Sequence, residues 1–249
     1  MQFGLMEELT CEVAGAENDH LLHGALSHAA RRMGFDHFAL AYDRWSSVQD
    51  GMLVHDYPDE WAKVYVGFDL RGADPIRRAG ERSMTGFAWR RQLASLITLT
   101  QGDHQMLMVG RENGIGDGFT VPRHLPGEAS GSCSFVVGPE KHLPGEMFHV
   151  AEIIGAFALA RARHISGVAP PKSRPVLSER QRECVLWSAR GKTASEIAII
   201  LGIREVTVIR HLKIARERYD VHCRQALILC ALFDGLIGFG DIFDWRRMN

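Results

Sequence analysis

The chain contains 249 residues, of which 46% are hydrophobic and 24% charged. This composition is that of a folded globular protein, and the length allows two domains with separate cores. Five cysteines without a C-x-x-C pair argue against a disulfide framework and a zinc site, as in proteins of a reducing cytoplasm.

The N-terminus and the apolar stretches of the chain indicate where in the cell the protein is located. The N-terminus lacks the basic and apolar regions of a signal peptide. The most apolar stretch, 226–233, is too short to span a bilayer. We therefore expect a cytoplasmic protein with no membrane partner.

The net charge of −1 is unevenly distributed along the chain. From Ser173 onward thirteen Lys and Arg accompany nine Asp and Glu, which gives +4. The preceding residues carry 16 basic and 21 acidic side chains, which gives −5. A basic second part indicates that this part meets a polyanion.

A proline-rich segment lies between the two parts. Residues 164–175 contain three prolines, one glycine and two serines, which disfavour helix and strand alike. We therefore predict a first domain over 1–165, a linker over 166–175 and a second domain over 176–249.

The first domain mixes helical and strand patterns. Apolar residues at helical spacing predict helices over 18–33, 61–68 and 149–163, and Asp74 followed by Pro75 is typical of a helix start. Runs rich in β-branched and aromatic residues predict strands over 35–42, 52–57, 118–121 and 132–137. We expect an α+β fold, an α-β-α sandwich with a central antiparallel sheet.

The second domain is predicted to be all-α with four helices. Ser178 with Gln181 and Thr193 with Glu196 have the spacing of capping boxes. Helices are expected from these caps to about 190 and 201, then over 205–219 and 224–233.

The middle two of these helices have the layout of a helix-turn-helix. Gly202 permits a tight turn and the small Ala198 permits close packing of the helices. A basic, hydrogen-bonding face follows, of the kind that phosphates and base edges require. The predicted DNA-binding residues are Lys192, Thr193, Arg204, Thr207, Arg210, Lys213 and Arg216. The alternative is a small helical bundle with a solvated basic face.

Residues 176–233 resemble the GerE/LuxR-type output domain. The resemblance is carried by Leu177, Ser178, Glu179, Arg180, Glu183, Trp187, Gly191, Lys192, Thr193, Glu196, Ile197, Ala198, Leu201, Gly202, Thr207, Val208, His211, Leu212, Asp220 and Val221. The chain departs from the family pattern at Gln181, Val185 and Arg204, where the family has Glu, Leu and often a capping Ser. The target sequence and the sign of regulation stay open.

An aromatic group with one carboxylate stands out in the first domain. Tyr57, Trp61 and Tyr65 fall at i, i+4 and i+8, and Asp74 and Trp89 follow. Such groups suit a small ligand with carbonyls, an amide N–H and an apolar tail. The alternative is an aromatic core in which Asp74 only caps a helix.

The spacing of Trp61, Tyr65, Asp74 and Trp89, followed by the glycines of 113–122, resembles the autoinducer-binding domain of LuxR-type quorum-sensing regulators. The resemblance implies an N-acyl-homoserine lactone as ligand, without a further cofactor. It implies that Trp61 donates to the lactone carbonyl, Asp74 accepts from the amide N–H and Tyr57 donates to the acyl carbonyl. Tyr65 and Trp89 are expected to surround the acyl chain and the lactone ring.

A further hydroxyl is expected near the acyl carbonyl, where family members often have Ser or Thr. Counting from Gly127 places Cys133 there, and counting from Gly118 places Ser134 there. Because side chains alternate along a strand, only one of the two points inward.

The sequence thus predicts a ligand-responsive transcription regulator. It is expected to be a homodimer on an inverted-repeat promoter site, because one helix-turn-helix reads only a half-site; RNA polymerase is a candidate partner. The alternative is a regulator of the same architecture that is constitutive or responds to another ligand. An enzyme is not expected, since the histidines and serines lack hydrolase motif spacing.

Overall fold

A computed structural model describes residues 2–43, 51–67, 74–124, 130–167 and 175–243. The chain divides into two compact units, Met1–Ala169 and Pro170–Asn249. Most of the predicted linker, 168–174, lies outside the described residues. In the parts that are described, the length and hydropathy of the helices never reach what a bilayer crossing requires.

The first unit is built on an antiparallel sheet. The described strands are β1 (His37–Tyr42), β2 (Met52–His55), β3 (Phe87–Ala88), β4 (Asp117–Arg123) and β5 (Gly131–Val137). They pair in the order β2-β1-β5-β4-β3. The helices are α1 (Gln2–Gly15), α2 (Asp19–Arg32), α3 (Asp59–Gly67), α4 (Pro75–Gly80), α5 (Trp89–Leu96), α6 (Gln101–Glu112) and α7 (Phe148–Ile165). The predicted α+β class is confirmed.

The two faces of the sheet bury different sets of side chains, because residues alternate along each strand. Leu40, Cys133 and Val121 are neighbours in the register and pack into a core with α1, α2 and α7. The residues one position along the strands face the other way, toward α3–α6. This second face carries a smaller aromatic cluster that includes Trp61 and Trp89.

The structure adds elements that the sequence did not predict. α1, α5, α6 and β3 are additional, and β2 ends at His55 rather than at 57. Tyr57 lies between the end of β2 and the start of α3 at Asp59. The helical spacing proposed for Tyr57, Trp61 and Tyr65 applies only to the last two.

The second unit contains the four predicted helices and one short addition. They are α8 (Glu179–Ala189), α9 (Ala194–Leu201), α10 (Glu205–Arg218), α11 (Arg224–Phe233) and the added α12 (Phe239–Ile242). Both predicted capping boxes are formed, at Ser178 with Gln181 and at Thr193 with Glu196.

α9 and α10 form the predicted helix-turn-helix. Gly202 ends α9 in the left-handed region at φ 66°, which favours glycine because it has no Cβ. Ile197, Ala198 and Val208 are buried together with Cys184 of α8. The turn is thus fixed by a small apolar core that leaves the opposite side of α10 exposed.

Candidate functional site

A cavity of about 420 Å³ lies between the second face of the sheet and helices α3–α6. Most of its lining is apolar, with residues such as Ile76, Leu93 and Met106. It also contains six of the seven residues predicted to bind the ligand. These are Tyr57, Trp61, Tyr65, Asp74, Trp89 and Ser134.

Three aromatic rings form one wall of this cavity. The rings of Trp61 and Tyr65 have centroids 5.6 Å apart, and Tyr57 meets Tyr65 edge-on at 5.9 Å. Gly110 of α6 lies against Trp61, since a Cβ there would be 3.5 Å from the indole. Burial raises the pKa of the Tyr57 and Tyr65 hydroxyls, which therefore stay protonated and able to donate.

Asp74 caps a helix, as considered from the sequence, and also lines the cavity. Its Oδ1 accepts the backbone N–H of Ile76 at 2.8 Å, which caps α4, and its Oδ2 accepts the Tyr65 hydroxyl at 2.7 Å. Burial raises the pKa of Asp74, while these hydrogen bonds and the Arg77 guanidinium act in the opposite direction. A carboxylate accepts about four hydrogen bonds, so Asp74 retains acceptor capacity on the cavity side.

A chain of three polar groups leads to Ser134. The Trp89 indole N–H donates to Thr120 Oγ1 at 2.8 Å, and Thr120 Oγ1 lies 2.8 Å from Ser134 Oγ. The indole can only donate, so the fully buried Thr120 Oγ1 accepts from it and keeps one proton and one lone pair for Ser134, where either hydroxyl can be the donor. With Thr120 as the donor, Ser134 has its own hydroxyl proton to donate into the cavity.

The register of β5 settles the choice between Cys133 and Ser134. Ser134 pairs with Ala39 and Thr120 on the cavity face, whereas Cys133 pairs with Leu40 on the opposite face. Cys133 is fully buried in the core there and is absent from the cavity lining. Its assignment as a ligand-binding residue is therefore corrected, because alternation along the strand directs it away.

Sequence reasoning missed several polar residues in or behind the cavity lining, among them Thr120 and Arg77. Thr120 lies two positions after Gly118, and this same-face spacing on β4 was the available signal. Gly118 itself lets Trp89 approach, since a Cβ there would be 2.6 Å from the indole. Arg77 lines the cavity one turn after Asp74 and is paired with Asp43.

In the second unit, the side chains of three predicted DNA-binding residues make hydrogen bonds within the unit. The Thr193 hydroxyl caps α9, and Lys192 Nζ lies 3.0 Å from Glu196 Oε1. The Arg216 guanidinium donates to the carbonyl of His222 at 3.0 Å. The Thr193 cap stabilises α9, whereas the exposed ion pair of Lys192 contributes little to stability.

The other predicted DNA-binding residues lie on or beside the outer face of α10. Arg204 precedes the helix without capping it, and Arg210 and Lys213 are exposed six and nine residues further on. Thr207 is half-buried, and Lys213 Nζ lies 3.8 Å from Glu217 Oε1. Arg204, Arg210 and Lys213 therefore provide the accessible positive charge of this face.

Comparison with known proteins agrees with both units. Residues 19–164 match the family model "Autoinducer binding domain", and residues 175–231 match "Bacterial regulatory proteins, luxR family". The chain is 30% identical over 185 residues to the quorum sensing-dependent transcriptional regulator RpaR of Rhodopseudomonas palustris, which covers 74% of each chain.

Solved structures share the fold. Escherichia coli SdiA aligns with a TM-score of 0.64 and 21% identity over 98% of this chain and 100% of that one, and SdiA is also known in complex with octanoyl-rac-glycerol. CepR2 of Burkholderia cenocepacia, described as N-acylhomoserine lactone dependent, aligns at 0.54 and 15% identity over 66% and 98% of the two chains. With an autoinducer-binding domain followed by a luxR-family DNA-binding domain, the chain belongs to the LuxR-type quorum-sensing transcriptional regulators.

Proposed function

We propose that this regulator binds an N-acyl-homoserine lactone in its first unit and, as a cytoplasmic homodimer, an inverted-repeat promoter site through α9 and α10. It acts by binding and not by catalysis. The observation that carries the proposal is a mostly apolar cavity of about 420 Å³ with the Asp74 acceptor on one element and the Ser134 donor on another.

The ligand chemistry follows from these groups. An amide N–H matches the Asp74 carboxylate, and a carbonyl oxygen matches the hydroxyl protons of Ser134 and Tyr57. The aromatic wall and the aliphatic side chains suit an acyl chain. The indole of Trp61 supplies a further N–H, assigned here to the lactone carbonyl.

The second candidate is the same architecture with another acyl ligand. The SdiA complex with octanoyl-rac-glycerol supports it, because that ligand has an acyl chain and hydroxyl groups but no amide. To separate the two, the protein is purified from cells supplied with equal amounts of acyl-homoserine lactones and monoacylglycerols. Mass spectrometry of an organic extract is expected to find the lactone enriched; enrichment of the glycerol ester, or of neither, contradicts the proposal.

Ser134→Ala is expected to weaken lactone affinity about 3- to 10-fold, the cost of one neutral hydrogen bond. Thr120→Val is expected to have a similar effect, because it removes the hydroxyl that is hydrogen-bonded to Ser134 Oγ. Both are measured by titrating a fluorescence or calorimetric signal with the best lactone of a chain-length series. Cys133→Ala is the matched control from the other face of β5, and a loss of affinity there equal to that of Ser134→Ala contradicts the assignment.

Arg210→Ala and Lys213→Ala are each expected to weaken promoter binding without changing lactone affinity. Where the side chain contacts only phosphate, the slope of log affinity against log salt falls by about one. The measurement is fluorescence anisotropy of the full chain on its selected DNA site over a range of salt concentrations. Arg190→Ala is unsuitable as a control, because Arg190 donates a hydrogen bond to the backbone carbonyl of Asp241 and its guanidinium stacks on the Trp187 ring. Arg163→Ala, in the first unit, is used instead, and wild-type binding by both α10 variants would show that this face is misassigned.

A further inference from the structure

The outer face of α10 carries two exposed apolar side chains among its cations. Val206 is 75% exposed and Ile209 is 52% exposed, whereas Val208 and Ala215 of the same helix are fully buried. The packing of the second unit therefore does not require a large apolar residue at 206 or 209. Two exposed β-branched side chains on one helix face form a small apolar patch that a partner can cover.

These side chains share their face with the accessible cations. Positions 206, 209, 210 and 213 are spaced i, i+3, i+4 and i+7, which places them on one side of a helix. Val206 lies in the first turn of α10, and Ile209 lies beside Arg210 in the next. The apolar surface thus lies beside Arg210 and Lys213, with Arg204 at the N-terminus of the helix.

The combination of apolar and cationic side chains on this face indicates the kind of partner. Binding of an apolar protein surface would remove water from the neighbouring cations. This is unfavourable unless the partner supplies acidic side chains to pair with them. Duplex DNA supplies phosphates for the cations, and its major groove presents one apolar group on the base edges, the 5-methyl of thymine. Val and Ile have no side-chain donor or acceptor, so they cannot read the hydrogen-bonding edges of guanine, adenine or cytosine.

We infer that Val206 and Ile209 are specificity-determining residues that recognise thymine methyl groups in each half-site. This inference rests on the proposed DNA-binding function of α10 and adds the base that it selects. Arg210 and Lys213 then position the helix on the backbone or read neighbouring bases. The operator is expected to carry thymine at the positions that face residues 206 and 209.

The test uses the full chain with its lactone and a duplex selected from a random-sequence library. Each thymine of the selected half-site is replaced in turn by uracil, which removes only the 5-methyl group. Loss of one buried methyl is expected to weaken binding about fourfold at one or two positions, from the free energy per buried CH₂. At those positions the uracil penalty is expected to disappear in Val206→Ala or Ile209→Ala.

Leu229→Ala is the matched control, since Leu229 of α11 is 66% exposed but belongs to another helix. It is expected to retain the full uracil penalty. The inference is overturned if no thymine shows a penalty, or if the penalty is the same in wild type, Val206→Ala and Ile209→Ala. Failure to select any duplex instead contradicts the proposed DNA-binding function, so the two failures are distinguishable.

Discussion

Asp74→Asn is expected to abolish the response to acyl-homoserine lactones while leaving the first unit folded. Asn is a good N-cap, so its Oδ1 can keep the hydrogen bond from the Ile76 N–H. Its Nδ2 then replaces Oδ2 and presents a donor to the Tyr65 hydroxyl and to the ligand amide. Loss of a hydrogen bond to a charged group costs about 1.5–3 kcal/mol, roughly a 10- to 150-fold loss of affinity.

The stability of the unliganded protein is expected to move in the other direction. Burial raises the pKa of Asp74 in the folded state, so Asp74 ionises at lower pH in the unfolded chain than in the folded one. Its contribution to stability is therefore present below the unfolded pKa and is lost as the pH rises through the folded pKa. Asn does not titrate, so the variant is expected to be as stable as wild type or more stable at neutral pH.

These two readouts separate a ligand-binding role from a structural one. Reporter response and lactone titration measure the first, and chemical unfolding without ligand measures the second. Tyr65→Phe is the matched control for the hydrogen bond on Oδ2, and a milder loss of affinity is expected because the carboxylate remains. A fully responsive Asp74→Asn variant would remove Asp74 from the site.

The helix-turn-helix could be predicted almost completely from the sequence because its signals are local. Capping boxes at Ser178 and Thr193 and the turn at Gly202 depend on residues within a few positions of each other. The aromatic set of the cavity was also recognisable, since Trp61 and Tyr65 are one helical turn apart and Asp74 caps the next helix.

The remaining features depend on contacts between distant strands. The choice between Cys133 and Ser134 requires the register of β5 with β1 and β4, which local patterns do not fix. The role of Thr120 likewise arises from a pairing 14 residues away and an indole 31 residues away. The helical spacing proposed for Tyr57 with Trp61 and Tyr65 did not hold for Tyr57, because Tyr57 lies before Pro58 and α3 begins at Asp59.

For the predicted DNA-binding residues, the structure agrees with the expected positions but shows that some of the side chains already have hydrogen-bond partners. Thr193 and Arg216 lie where the sequence placed them, but each already satisfies backbone or side-chain groups of its own unit. Burial and internal hydrogen bonds of polar side chains depend on tertiary packing, which a sequence motif does not contain. Substitutions at these two positions are therefore expected to report on folding as well as on DNA.

Ligand and folding of the first unit are expected to be linked. The cavity of about 420 Å³ lies between the aromatic wall and the sheet, so a bound acyl chain would pack against the apolar atoms of its lining. The lactone would also offer Asp74 and the hydroxyl of Ser134 the amide and carbonyl groups that we assign to them. We therefore expect the acyl-homoserine lactone to complete the core of this unit.

The size of the linkage follows from mass action. A ligand present at 1,000 times its dissociation constant stabilises the folded state by about 4 kcal/mol. For a unit of this length each kcal/mol raises the melting temperature by roughly 2–4 °C, so an increase of about 10 °C is expected. The soluble yield of the full chain is also expected to rise when the lactone is present during expression.

Thermal melts of the full chain across lactone concentration measure this effect. Because the chain has two compact units, a second transition that does not respond to the lactone is expected from the helix-turn-helix unit and serves as an internal control. Asp74→Asn, with its lost acceptor, is expected to show little shift at the same concentrations. A melting temperature independent of lactone, together with equal soluble yield, would show that the first unit folds alone, and it would favour a constitutive regulator of the same architecture.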